Sequence, residues 1–253
     1  MRNIDYPREI ERIADFMREY LSISQMQGYL LGVSGGMDSA LVLALAVYAL
    51  GKDKVKAIIM PSTNSNPNSL RDALNLCDIL DVEGKTIYLG TMVDEYFSKL
   101  APEASTLRKG NFMARLRMNI LFDLSAQYRY LVLGTGNKSE WLSGYFTQFG
   151  DAACALEPIL HLYKTETYEM ANYLPIPGEI LDKTPSADLW EGQSDEQEMG
   201  ISYLELDPIL YAMEMRQELS IFPPDKVKLV QKLQQNSSFK RLPIPSMDTP
   251  CLL

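Results

Sequence analysis

The stretch Gly32-Val33-Ser34-Gly35-Gly36-Met37-Asp38-Ser39 constrains the fold more than any other part of the chain. It ends the apolar run Tyr29 to Val33 and leads into Ala40 to Leu50, eleven residues without a charge. An apolar strand that breaks at two glycines and resumes as an apolar helix opens a βα unit buried on both sides. The helical run is too short to span a bilayer and reads as core. Tyr130 to Leu133 repeats the device and stops at Gly134-Thr135-Gly136.

The pattern between and around these breaks alternates. Ile10, Ile13, Ala14, Met17 and Leu21 fall at helical spacing, predicting an amphipathic helix over 7–22. Strands are predicted at 55–60 and 85–89, and helices at 67–80, 111–127 and 163–174. The fold class that follows is α/β: a doubly wound, mostly parallel sheet with helices on both faces. Ligands of such sheets bind beyond the carboxyl ends of the strands, where both glycine breaks lie. The 253 residues suit one domain. Residues 182–202, polar and interrupted by Pro185, Gly192 and Gly200, are expected to form a long mobile loop. Pro243, Pro245 and Pro250 predict an extended tail over 239–253.

Composition narrows the chemistry. His161 is the only histidine, so neither a histidine metal cluster nor a Ser/His/Asp triad can be assembled. A net charge of −9 argues against a nucleic-acid partner. No signal peptide is visible and no segment suits a membrane. Three cysteines without metal spacing (Cys77, Cys154, Cys251) read as reduced thiols in a cytoplasm.

The octet 32–39 has the makings of an anion cradle. Glycines let backbone amides approach phosphate oxygens, the helix N-terminus favours negative charge, and the Ser34 and Ser39 hydroxyls are further donors. Asp38, in the first helical turn, is placed to carry a magnesium ion on the same phosphates. The alternative is a packing turn in which Asp38 only complements the helix dipole. Gly134 to Ser139 lacks the Gly-Lys pair of a Walker A motif.

The octet resembles the pyrophosphate loop of the N-type ATP pyrophosphatases, which cleave ATP to AMP and pyrophosphate while adenylating an acceptor. Further segments resemble one branch, the NAD synthetases. They are Lys109 to Arg117 (KGNFMARLR), Leu133 to Glu140 (LGTGNKSE), Gly144 to Thr147, Gly150-Asp151 and Leu162 to Thr165. Pro185 to Trp190 and Gln193 to Glu196 complete the set. The resemblance runs from about residue 8 to 243. It implies ATP-dependent amidation of deamido-NAD by ammonia, through an acyl-adenylate, in a homodimeric carbon–nitrogen ligase. It places ATP against Gly32, Val33, Ser34, Gly35, Gly36, Met37, Asp38, Ser39, Thr135, Lys164 and Ser186. It places Mg²⁺ at Asp38 and Glu140, and the deamido-NAD contact at Arg115. Lys164 and Asp151 are the implied catalytic pair, with Asp151 near the ammonia. Relatives that use glutamine carry an added amidase domain with a Cys nucleophile. No cysteine here sits in such a setting, so free ammonia is the expected donor.

Three positions depart from that pattern. Many NAD synthetases have Lys where this chain has Gln148, Asp where it has Ala155, and His-Lys where it has Phe239-Lys240. All belong to the deamido-NAD side. Either the acceptor has changed, or this branch holds the same dinucleotide differently. Paired loss of a Lys and an Asp keeps the local charge balanced, which favours the second, and Phe239 would stack where a histidine would hydrogen-bond. A different adenylating enzyme on the same fold and a non-catalytic nucleotide-binding protein are the rival readings.

Overall fold

The chain is described as a computed structural model covering residues 2–63, 65–186, 192–244 and 246–247. Helix α1 (Tyr6–Ser24) is capped by Asp5, whose carboxylate accepts the Arg8 N–H, and is followed by β1 (Gly28–Gly32) and α2 (Met37–Leu50). Next come β2 (Val55–Ile59), α3 (Pro67–Ile79) and β3 (Gly84–Thr86). Helices α4 (Gly90–Leu100) and α5 (Thr106–Tyr128) precede β4 (Tyr130–Val132). The remainder is helical: α6 (Lys138–Ser143), α7 (Lys164–Ala171), α8 (Gly178–Leu181) and α9 (Asp195–Met199). Last come α10 (Tyr203–Glu214) and α11 (Pro224–Ser237).

The four strands are parallel, in the order β3-β2-β1-β4. Alternation along the strands sorts side chains onto two faces. Tyr29, Leu31 and Val33 join α1, α2, α3 and α7 in one apolar cluster, while Leu30, Ile58 and Val132 join α4 and α5 in another. The expected α/β sheet covered on both faces is therefore present. Helix α2 is central: Ala40 to Ala46 are all buried, as its uncharged sequence requires. A third cluster joins α10 and α11 to Tyr163, Met199 and Ile201 beside α7.

The strand order places the site. From β1 the chain winds to one side through β2 and β3, then crosses back to place β4 on the other side of β1. The segments leaving β1 and β4 therefore diverge, and a crevice opens between residues 33–36 and 133–136.

Several sequence expectations change. The third strand is 84–86 rather than 85–89, because residues 87–89 lead into α4, which the sequence reading left unassigned. The 182–202 segment is not wholly loop: it contains α9, and Asp195, Met199 and Ile201 are buried. Residues 187–191 of that segment, with Trp190, lie outside the described residues. The proposed extended tail begins instead as a 3-10 turn, Ser238–Arg241. Residues 245 and 248–253, with Cys251, also lie outside the described residues.

Because α2 packs against both the sheet and α1, its centre should tolerate truncation poorly. Leu43 is fully buried there. Leu43→Ala is expected to cost about 2–5 kcal/mol in urea unfolding, and a loss below 1 kcal/mol would mean that the core collapses around the gap.

Candidate active site

The loop after β1 is stitched by its own side chains. Ser39 Oγ donates to the Gly36 carbonyl (3.0 Å) and accepts the Ser34 N–H (3.2 Å), while Ser34 Oγ accepts the Gly36 N–H (3.1 Å). The hydroxyls expected to point at phosphates thus first fasten the loop. Gly35 has φ +78°, and a Cβ there would stand 2.1 Å from the Ser69 carbonyl oxygen at the start of α3. Only glycine fits. Gly36 is the N-cap of α2 and, having no side chain, caps none of the first-turn N–H groups. Those donors, at the positive end of a fourteen-residue helix, remain for a ligand.

The N-termini of α6 and α7 are arranged differently. Asn137 and Glu140 form a reciprocal capping box on α6 (Glu140 N–H to Asn137 Oδ1, 3.0 Å; Asn137 N–H to Glu140 Oε2, 3.3 Å). At α7, Glu166 accepts the Tyr163 N–H, and Asp207 from α10 accepts the Thr165 N–H (2.9 Å each). The same Asp207 accepts the Ser139 hydroxyl, and Ser139 Oγ accepts the Lys164 N–H (2.8 Å). Asp207 is fully buried, so α10 fixes the entry into α7 from within the protein.

That framework brings Asp38, Glu140 and Lys164 together. Lys164 Nζ pairs directly with Asp38 and lies 3.4 Å from Glu140 Oε1. Asp38 also accepts from Asn137 Nδ2 (3.3 Å) and Thr167 Oγ1 (3.2 Å). Burial works against the Lys164 ammonium, but the Asp38 and Glu140 carboxylates outweigh it and hold its pKa above the ordinary value. Burial pushes the Glu140 carboxyl up despite Lys164, since Asp38 and Asp195 add further negative charge. Two hard oxygen donors thus converge on one point that already holds a cation, and Glu140 is short of positive charge. That donor set suits Mg²⁺.

These side chains wall a cavity of about 480 Å³ that also takes in residues 32–34, 36–39, 134–136, Asp151, Lys183, Ser186 and Lys240. Of the residues singled out from sequence, the cavity gathers Gly32, Val33, Ser34, Gly36, Met37, Asp38, Ser39, Thr135, Glu140, Asp151, Lys164, Ser186 and Lys240. Gly35 lies behind it, against α3. Asp151, exposed toward the open side of the cavity, accepts the Thr147 N–H (2.9 Å), and desolvation by the surrounding protein raises its pKa. Thr147 in turn donates its hydroxyl to Asn111 (2.7 Å) of the Gly-Asn pair on α5. Lys240 donates to the carbonyls of Gly144 and Phe146 (2.8 Å each).

Four expected acceptor contacts lie outside the cavity lining. Arg115 is exposed and donates to the Gln148 carbonyl (3.3 and 3.2 Å). Ala155 is half-buried, and its N–H bonds the Val132 carbonyl (2.9 Å). Phe239 is exposed. Arg117, which shares the 109–117 motif with Arg115, lines the cavity instead, with Nε on the Met60 carbonyl (3.2 Å). Sequence reasoning assigned no role to Asn137, Thr167, Lys183 or Asp195. The Asn-x-x-Glu spacing of a capping box was the available signal for Asn137. The others have none until α7, α9 and the segment after α8 are folded.

Glu157 accepts the Gly136 N–H (3.1 Å) behind the second glycine break, and burial raises its pKa from 4.5 to about 7. The folded state therefore holds this proton more tightly than the unfolded one. Its stabilising contribution is full below about pH 4.5 and is lost as pH rises through 7. Glu157→Gln keeps an acceptor for Gly136 and should raise Tm at pH 8 by roughly 2–4 °C, equivalent to about 1 kcal/mol. The gain should shrink toward zero at pH 5. Equal shifts at both pH values would show that Glu157 does not titrate in this range.

Comparison with known proteins agrees with this geometry. The family profile described as NAD synthase matches residues 9–244. The NH(3)-dependent NAD(+) synthetase of Fusobacterium nucleatum is 52% identical over 201 residues, 79% of this chain and 78% of that protein. Among solved structures, the NH3-dependent NAD synthetase of Campylobacter jejuni superposes with a TM-score of 0.85 at 36% identity, covering 97% of this chain and all of the other. A structure described as NMN synthetase from Francisella tularensis gives a TM-score of 0.88 at 32% identity, covering 98% and 100%. A glycine-opened α2, the Asp38–Lys164–Glu140 cluster and a match across nearly the whole chain lead to one conclusion: this chain belongs to the NAD synthase family.

Proposed function

We propose that the protein joins ammonia to the nicotinate carboxylate of deamido-NAD, consuming ATP and releasing pyrophosphate and AMP. The observation that carries the ATP half is the uncapped first turn of α2, facing Lys164 across a cavity with two carboxylates. The donor and acceptor rest on what the F. nucleatum and C. jejuni relatives are named for.

In the first step an oxygen of the acceptor carboxylate attacks the α-phosphorus and pyrophosphate leaves. The amides at the start of α2 and the Lys164 ammonium hold the charge that grows on the phosphate oxygens. Asp38 fixes Lys164 beforehand, so little reorganisation accompanies the reaction. Asp38 and Glu140 would hold Mg²⁺, which supplies further neutralisation of phosphate oxygens when bound. In the second step ammonia attacks the acyl carbon and AMP departs. Asp151, its pKa raised by desolvation, is suited to take a proton from the ammonium ion that delivers it. Residues 183–186 with Gln193, Asp195 and Glu198, which line the cavity, would help keep water from the adenylate.

Arg115 and Phe239, both exposed, fit contacts to a dinucleotide lying at the interface of a homodimer. The fold reads as one NAD synthetase domain. Among the described residues no helix is long and apolar enough to cross a membrane, and Cys77 and Cys154 are free thiols, which suits a cytoplasmic enzyme.

Sustained pyrophosphate release should require deamido-NAD and ammonium together, deamido-NAD alone giving no more than one equivalent per site, and glutamine in ammonia-free buffer should not replace ammonium. Asp38→Asn should fold, since Asn is tolerated at a helix start, yet lose about 100-fold or more in kcat. Near wild-type kcat at ordinary magnesium would remove Asp38 from the metal and phosphate machinery.

A second reading is favoured by Gln148, Ala155 and Phe239 and by the likeness to the Francisella structure described as NMN synthetase: the acceptor is nicotinate mononucleotide. The dinucleotide reading is preferred because, over nearly the whole chain, identity to the C. jejuni NAD synthetase structure is 36% against 32%, and the F. nucleatum NAD synthetase reaches 52% over 201 residues. Measuring kcat/KM for the two acids side by side decides between them. Phe239→Ala should raise KM for deamido-NAD and leave that for ATP unchanged. An excess for the mononucleotide above tenfold would overturn the preferred acceptor.

A further inference from the structure

Lys183 follows α8, in a segment whose sequence carries no phosphate-binding signature. Its ammonium donates to the Gly35 carbonyl (2.8 Å), pairs with Asp72 Oδ2 (2.8 Å) and lies 3.4 Å from Ser69 Oγ. Three segments distant in sequence meet there: the loop after β1, the first turns of α3 and the strip that carries Ser186. Asp72 is buried at 5% exposure, so the ammonium is anchored from the protein side. Lys183 also stands on the wall shared by the 480 Å³ cavity and a second, neighbouring one of about 1160 Å³.

The carbonyl it holds matters because of peptide geometry. In a trans peptide the C=O and N–H point to opposite sides. With the Gly35 oxygen drawn back to Lys183, the Gly36 N–H lies on the cavity side, where Ser34 Oγ accepts it (3.1 Å), and the carbonyl stays out of the cradle. Gly35, at φ +78°, lacks the side chain that would resist rotation of this peptide. Rotation would turn the carbonyl oxygen into the cradle, where it would repel phosphate. The geometry points to Lys183 as a positioning residue for ATP: it locks the Gly35–Gly36 peptide in the donor orientation and fixes the Ser186 strip to the phosphate loop.

The inference rests on the reading of the 32–39 loop as an ATP site, and the test separates the two. ATP affinity by calorimetry without acceptor, and KM for ATP and for deamido-NAD, are measured for wild type, Lys183→Met, Lys183→Arg and Asp72→Asn. Lys183→Met should weaken ATP binding and raise its KM about tenfold or more. KM for deamido-NAD should stay within twofold, and Lys183→Arg should recover most of the loss. Asp72→Asn should shift ATP in the same direction by less. A purely structural tether would instead lower Tm and impair both substrates alike. That pattern, or unchanged ATP affinity in a folded Lys183→Met, overturns the role of Lys183. Wild type that fails to bind ATP at all overturns the functional reading, and the inference with it.

Discussion

The ion pair between Asp38 and Lys164 is the constraint on which the site depends. The two residues are 126 positions apart and start different helices, α2 against the sheet and α7 beside the helical layer. Either charge is costly to bury without a partner, and Glu140 is the one carboxylate left to Lys164 when Asp38 is neutral. Once paired, they draw in Asn137 from the cap of α6 and Thr167 from α7, and a single carboxylate aligns three helix starts. The donors at α6 and α7 are consumed by Glu140, Glu166 and Asp207. Of these three helix starts, α2 has no side-chain cap at all. Positive potential is thereby concentrated at the one helix start where glycine has removed the side chain that would otherwise cap it.

The parts legible in the sequence were those governed by local rules. The apolar strand, the Ser-Gly-Gly break and the uncharged helix obey short-range periodicity, and the structure reproduces them within a residue or two. The parallel sheet covered on both faces follows from the same alternation, whereas the strand order β3-β2-β1-β4 does not. Asp38, Glu140 and Lys164 were legible through a resemblance of motifs rather than through spacing, and the structure brings them together.

What was not legible depends on long-range contact. Lys183 reads as an ordinary surface lysine until Asp72, more than a hundred positions away, is seen beneath it. Residues 195–201 read as loop because Gly192 precedes and Gly200 interrupts them, yet Asp195, Met199 and Ile201 are buried against elements that periodicity cannot supply. Helix α10 had a local signal in the Ser202–Glu205 capping box and the Leu206, Ile209, Leu210 stripe, but its importance comes from Asp207. A carboxylate on an apolar helix face looks like a flaw until its two partners on α6 and α7 are known.

Asp207 also dictates an order of events. A chain emerging from its N-terminus completes β1, β2, β3 and the phosphate loop early, because these lie within its first ninety residues. Lys164 can be held in place only after residue 207 has arrived to bind Ser139 and the start of α7. Until then Asp38 faces an unfinished crevice without its counter-charge. The nascent protein therefore completes the loop after β1 long before the cation that faces it is held in place. Completion of the last helical layer is the step that turns a folded sheet into a working site.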